Sequence, residues 1–140
     1  MLEEGYESIK LAQMLGAGHL QLNATVNGVE GIFILDTGAG YTVMEAERME
    51  KFGLIPETTE ETATGAGGTN LKMQISQGNQ LKLENLVIEN TVLAMIDLSH
   101  VNNAFLAMGF ETVDGVLGAD ILADYDAVID YKGLRLYLRE

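Results

Sequence analysis

From His19 onward, apolar and polar residues fall into patterns that mark strands. Leu20, Leu22, Ala24 and Val26 are separated by polar neighbours, the period of two of a half-buried strand. Asn27-Gly28 follows, a pair that tolerates positive φ at both positions and predicts a tight hairpin turn. The returning segment, Glu30 to Leu35, is apolar through Ile32-Phe33-Ile34-Leu35, which predicts a strand covered on both faces. It runs directly into Asp36-Thr37-Gly38. A short strand is expected at Tyr41 to Met44. A one-sided surface helix is expected from Glu45 to Phe52, with acids in its first turn, Arg48 and Lys51 late, and Gly53 as its stop. Glu57 to Ser76 reads as a long hairpin whose polar arms surround Gly65-Ala66-Gly67-Gly68. Further strands are predicted near Gln80 to Leu83 and Leu86 to Ile96. Ser99 to Gly109 stays open between a helix, on the spacing of Val101, Phe105 and Met108, and an irregular loop. Val116-Leu117-Gly118 precedes a short helix from Ala119 to Ala123. A hairpin with arms Ala127 to Tyr131 and Leu134 to Leu138, joined at Lys132-Gly133, closes the pattern. Before His19 the pattern is weak: residues 1–18 read as an N-terminal arm, either loose or holding a helix from Glu7 to Leu15 stopped by Gly16.

Length and composition narrow this reading. The 140 residues are enough for one domain, placed at residues 19–140. Sixteen glycines against one proline suit a mainly β fold with frequent turns and two or three short helices. The absence of cysteine excludes disulfides and thiolate chemistry. The net charge is −13, and no run of Lys and Arg forms the positive stripe that phosphate neutralisation needs, so nucleic acid is not an expected partner. The same excess repels anionic lipid, and no apolar run approaches the ~18 to 20 residues needed to cross a bilayer, so no membrane partner is expected either. The start, Met1-Leu2-Glu3-Glu4-Gly5, is acidic where a secretory signal is basic, which predicts a cytoplasmic location.

The chemistry concentrates in Phe33-Ile34-Leu35-Asp36-Thr37-Gly38-Ala39, an apolar strand ending abruptly in an acid, a small hydroxyl residue and a glycine. Ionising an acid at the end of a buried strand is costly unless donors reach it, so an acid kept there tends to have a purpose. Gly38 permits a sharp turn and leaves its N–H open to the carboxylate. Alone, Asp-Thr-Gly is equally the signature of a β-turn. Two further features, with Thr42 as a second hydroxyl residue, change the picture. About 80 residues later comes Val116-Leu117-Gly118-Ala119-Asp120-Ile121-Leu122, and the glycine-rich Thr64 to Thr69 lies between. In this order and spacing, the stretch from Leu20 to Leu138 resembles the retroviral-like (retropepsin-type) aspartic proteases, particularly their single-domain bacterial and eukaryotic non-viral relatives.

The resemblance implies a closed β-barrel of the acid protease fold and an aspartic endopeptidase acting on protein or peptide segments, with no cofactor and no metal. It makes Asp36 catalytic, and gives Thr37, Gly38 and Ala39 the support of the active-site loop and of a dimer. Gly65, Ala66, Gly67 and Gly68 become a flap that closes over an extended peptide. Val116, Leu117 and Gly118 become the element threaded through the loop that bears the acid, and Asp120 a structural hydrogen-bond acceptor. Aspartic proteolysis needs two facing carboxylates sharing one proton, yet the chain has one Asp-Thr-Gly. Asp114-Gly115 lacks the middle hydroxyl, and Asp97-Leu98-Ser99 lacks the glycine. The resemblance therefore implies a homodimer with one Asp36 from each chain, and the net charge of −13 per chain raises the upper pKa of such a pair, which predicts activity at mildly acidic pH.

Several residues depart from the family pattern. Gly40 and Tyr41 stand where many relatives carry Ser, Asn or Asp, and Ala119 where the viral enzymes carry an Arg that steadies the dimer. A different class of function fits the same residues: a non-catalytic dimeric module that holds an extended peptide in the same groove. A monomeric β-barrel with a purely structural Asp36 turn is a third reading. His19 and His100 read as ordinary surface or strand residues without metal-ligand spacing. Ser76 and Ser99 lack a nucleophile context. Asp124, Asp126 and Asp130 read as solvated turn acids. The methionines read as core filler, with Met95 or Met108 candidates for an apolar pocket.

Overall fold

A computed structural model describes residues 5–14, 18–64 and 70–140. Eleven strands and two α-helices are seen among them. The strands β1 (Glu7–Lys10), β2 (Ala12–Met14), β3 (His19–Val26), β4 (Val29–Leu35) and β5 (Val43–Glu45) are followed by a 3₁₀ turn at Ala46–Arg48. Then come β6 (Glu57–Thr64), β7 (Asn70–Leu83), β8 (Leu86–Ile96), helix α1 (Ser99–Ala107), β9 (Gly115–Leu117), helix α2 (Ala119–Asp124), β10 (Val128–Asp130) and β11 (Arg135–Leu138). Eight strands form one sheet in the order β2-β3-β4-β9-β5-β8-β7-β6, and β1-β11-β10 form a smaller one. An extra pairing of β3 with β7, Thr25 opposite Lys82 and Val26 opposite Leu81, folds the large sheet back on itself. The fold is thus mainly β, as expected, and the barrel expectation reduces to this one sheet with its tie.

The apolar patterns explain most of these elements. Along β3, Leu20, Leu22, Ala24 and Val26 are buried and the residues between them are not, and Asn27 and Gly28 both take positive φ in the turn to β4. Strand β4 is covered twice. Phe33 and Leu35 enter the main core with Leu22, Met44, Leu81, Leu83 and Leu117. Ile34 faces the other way, into a second cluster with Met14, Phe105 and Val113. Helix α1 supplies Phe105 to that cluster, which settles Ser99–Ala107 as a helix, ended by Gly109 at φ +84°. Each large side chain buried in this way stabilises the fold by roughly 1.5 to 3 kcal/mol relative to exposure.

Four expectations are corrected. The helix from Glu7 to Leu15 is absent: β1 pairs with β11, placing Ile9 opposite Leu136, and β2 pairs with β3. Tyr6, Ile9, Leu11 and Met14 are buried at a spacing that serves two separate short strands. The surface helix from Glu45 to Phe52 shrinks to the 3₁₀ turn and the irregular turns after it. Glu45 is buried at the end of β5, and its carboxylate accepts from Glu47 N–H (3.3 Å) and Leu98 N–H (3.1 Å). Phe52 is fully buried, reached through those irregular turns and not through a helix. The strand expected from Tyr41 starts at Val43 instead, because Tyr41 and Thr42 are held by the loop described below. The predicted strand near Gln80 and the outgoing arm of the glycine-rich hairpin merge into the single strand β7. The pairing of β7 with β8 shifts register between Ser76 and Asn79, where Gly78 lies at φ +73°. Asn79 fills the irregularity, donating to Ser76 O (2.9 Å) and Thr91 O (3.3 Å).

Candidate active site

Asp36 sits where β4 leaves the sheet. Its neighbour on one side is β9, parallel to β4, with Leu35 opposite Leu117. The strand pairing runs one residue further, because Asp36 N–H donates to Leu117 O (3.0 Å). The chain then turns, closed by Ala39 N–H to Asp36 O (3.2 Å). Both main-chain polar groups of Asp36 are therefore fixed while its side chain is exposed. Gly38 N–H donates to Asp36 Oδ1 (2.9 Å), the only hydrogen bond to that carboxylate among the described residues. A Cβ on Gly38 would lie 3.2 Å from the same oxygen, so glycine lets the amide approach without crowding. Thr37 is exposed beside it, and Ala39 is partly covered.

The loop is locked from behind by the segment after β9. Gly118 passes so close that a Cβ there would meet Tyr41 O at 2.5 Å and Ala39 O at 2.8 Å, both rigid backbone atoms. Ala119 N–H donates to Ala39 O (2.7 Å). Thr42 is fully buried; its hydroxyl donates to Asp120 Oδ1 (2.7 Å) and accepts from Gly118 N–H (3.1 Å). Asp120 Oδ2 accepts from Thr42 N–H (3.1 Å), and Oδ1 also accepts from Ile121 N–H (2.8 Å). Each such bond contributes about 1 kcal/mol net, and stranding one partner in the interior costs more. Val116 and Leu117 are buried between β4 and β5, with Val116 opposite Val43. Asp36 through Ala39 and Val116 through Asp120 are thus brought into one knot. Chemically, the knot presents a single solvated carboxylate on a backbone that cannot shift without breaking several buried bonds.

The other candidates fall elsewhere. Gly65, Ala66, Gly67 and Gly68 lie outside the described residues; the arms leading to them pair as β6 and β7, up to Thr64 opposite Asn70. His19 makes an edge-to-face contact with Phe105, ring centroids 5.9 Å apart, and His100 is exposed. Ser76 is buried and accepts from Ile55 N–H (3.1 Å). Asp126 pairs with Arg139 (3.2 Å), and Asp130 accepts from Gly133 N–H (3.0 Å). Among the described residues no group of three or more His, Asp or Glu is arranged to hold a metal ion, and no helix is long and apolar enough to cross a membrane. Met95 is core and Met108 is exposed. Tyr41, just after the loop, presents an exposed aromatic ring.

Sequence reasoning missed Arg48 and Asp114. Asp114 is buried, and its Oδ1 lies 2.6 Å from Arg48 Nη1. Its Oδ2 accepts from Ile32 N–H at 2.9 Å. The signal was the one that singled out Asp36: an acid at the border of a buried strand needs named donors.

The profile of the family described as aspartyl protease matches residues 22–121. No curated protein matches the chain. Among solved structures, the chain is similar to a retropepsin-like aspartic protease from Rickettsia conorii, at 21% identity and TM-score 0.58, over 96% of this chain and 91% of that one. It is also similar to the retroviral protease-like domain of Ddi1 from Leishmania major, at 18% identity and TM-score 0.60, over 86% and 87% of the two chains. A third likeness is to EIAV protease complexed with the inhibitor HBY-793, at 17% identity and TM-score 0.57, over 81% and 93%.

Proposed function

Since this chain belongs to the aspartyl protease family, we propose that it is an endopeptidase completed by dimerisation, with Asp36 of each of two identical chains forming the catalytic pair. The observation that carries this reading is a contrast between acids: the buried Asp114 and the half-buried Asp120 each have several donors, whereas Asp36 is exposed and keeps one carboxylate oxygen free among the described residues. One such carboxylate cannot act as base and acid in the same step. Two facing carboxylates sharing a proton can, and they titrate as a unit. The ionised member takes a proton from a bound water, the water oxygen attacks the peptide carbonyl, and the protonated member donates to the carbonyl oxygen; the tetrahedral adduct then collapses with cleavage of the C–N bond as the carboxyl that took the water's proton passes it to the leaving nitrogen. In this reading Thr37, exposed next to Asp36, bonds across the two-fold axis, and Gly38 and Ala39 hold the turn.

Support for a second copy comes from the small sheet. Strand β10 pairs with β11 on one side only, and its other edge is free among the described residues. Val128 and Tyr131 are exposed there. An unpaired edge of this kind is a template for pairing with another chain. The glycine-rich tip at residues 65–68 closes the groove over an extended peptide in this reading, with Tyr41 lining it.

The test is cleavage of a peptide library at mildly acidic pH by the wild type and by Asp36→Asn, which keeps the shape and removes the shared proton. Loss of cleavage by about a hundredfold or more is expected. Equal cleavage by both proteins would remove Asp36 from the chemistry. Binding without cleavage by both would point to the peptide-holding module instead.

A further inference from the structure

We infer that Arg48 is a positioning residue for Asp36, acting through Asp114 and strand β9; this rests on Asp36 being the reacting acid. Strand β9 is three residues long and lies between β4 and β5, so its own ladder does little to fix its register. It nevertheless carries Leu117 O, to which Asp36 N–H is bonded. Its position is set by clamps at its two ends. The downstream clamp is the Gly118, Thr42 and Asp120 knot. The upstream clamp is Asp114.

Asp114 is 6% exposed and bonded on every side. Its N–H donates to Ile32 O (2.8 Å), and its O accepts from Glu45 N–H (2.9 Å). Ile32 N–H donates to Oδ2. Arg48 Nη1 donates to Oδ1 and also to Val113 O (3.2 Å), while Nη2 donates to Thr112 Oγ1 (2.8 Å). One planar guanidinium therefore grips three consecutive residues, a task suited to its rigid fork and not to a point charge. Asn102 holds the remaining groups of Val113, accepting from its N–H (2.8 Å) and donating to its O (3.1 Å).

The strand packs closely on its neighbours, so a small shift of it is passed on to β4. A Cβ on Gly115 would lie 2.6 Å from the Phe33 ring and from Val43 O, and one on Gly31 would lie 3.2 Å from Asp114 Oδ2. Without Arg48, the buried Asp114 carboxylate keeps Ile32 N–H and the more exposed Lys51, whose Nζ is 4.0 Å away. A buried charge that loses its partner draws its segment toward water. Here that segment is the lead into β9, so the displacement reaches Leu117 O and the Asp36 amide.

Native-state amide exchange followed by NMR reads this without any substrate. In Arg48→Met, exchange at the Asp36 amide is expected to accelerate at least about tenfold relative to the remote bonded amides of Leu11 and Arg139. Arg48→Lys keeps the charge but not the fork, and is expected to show the same local acceleration at about threefold or more. The double variant Arg48→Met with Asp114→Asn, which has no buried charge to satisfy, is expected to regain most of the protection at Asp36. Against a cleaved library peptide, Arg48→Met lowers kcat about tenfold with KM changed less than about threefold. Uniform acceleration at Asp36, Leu11 and Arg139, or none, would overturn the inference. Should Arg48→Met not fold, Arg48→Lys decides by the same criterion. If Asp36→Asn still cleaves, the catalytic reading fails, while the exchange pattern still decides whether the clamp exists.

Discussion

Asp36 and Asp114 belong to the same pair of parallel strands, one just past the end of β4 and the other just before the start of β9, and the fold treats them in opposite ways. Asp114 is buried, ion-paired to Arg48 and bonded to Ile32 N–H. Asp36 is exposed, with one donor, Gly38 N–H, among the described residues. Both backbones are pinned, so the difference lies in the carboxylates alone. An acid whose oxygens are all engaged holds structure together; an acid on an equally rigid backbone with an oxygen left over is available for chemistry. Asp120, with its three donors, falls on the structural side.

Stability measurements can break this contrast. The largest effect is expected at Asp114→Ala, which strands Ile32 N–H and leaves Arg48 without its partner. Urea unfolding is expected to show a loss of about 3 kcal/mol. Asp36→Asn, by comparison, removes no buried interaction and is expected to change stability by less than about 0.5 kcal/mol. Similar losses at the two positions would mean that the division between them is wrong. The smallest effect sharpens the role of donors as distinct from burial. Asp97 is exposed, yet the hydroxyl and N–H of Ser99 hold its carboxyl below the ordinary value of 3.8. A lowered value in the folded state means a contribution present at neutral pH and lost as pH falls from about 3.8 downward. Asp97→Asn is therefore expected to flatten the acid limb of the pH–stability curve slightly, and an unchanged limb would show that exposed donors contribute nothing here.

Much of this was legible in the residues. The alternation in β3, the doubly covered β4 and the turn at Asn27-Gly28 follow from period and turn chemistry, whereas the threading of Gly118 past the Asp36 loop was implied by the family resemblance alone. What escaped depended on distant partners. Residues 7–14 lack a periodic pattern of their own because each of their strands is short and is completed by β11 or β3. Glu45 to Phe52 has helix formers in the right order, yet Phe52 must reach the core, and tertiary burial overrides local propensity. Asp114 does not match a second Asp-Thr-Gly, and its partner Arg48 lies 66 residues away, a separation no local pattern reports.

The central claim, that each chain carries half of a catalytic pair, is tested most directly by mixing. Wild-type chains are allowed to exchange subunits with increasing proportions of Asp36→Asn chains at constant total protein, and cleavage of a library peptide is followed. If both Asp36 side chains of a dimer are needed, activity follows the square of the wild-type fraction and falls to about one quarter in an equal mixture. A linear decline, to about one half in the same mixture, would mean that each chain works with its own acid alone and would contradict the account.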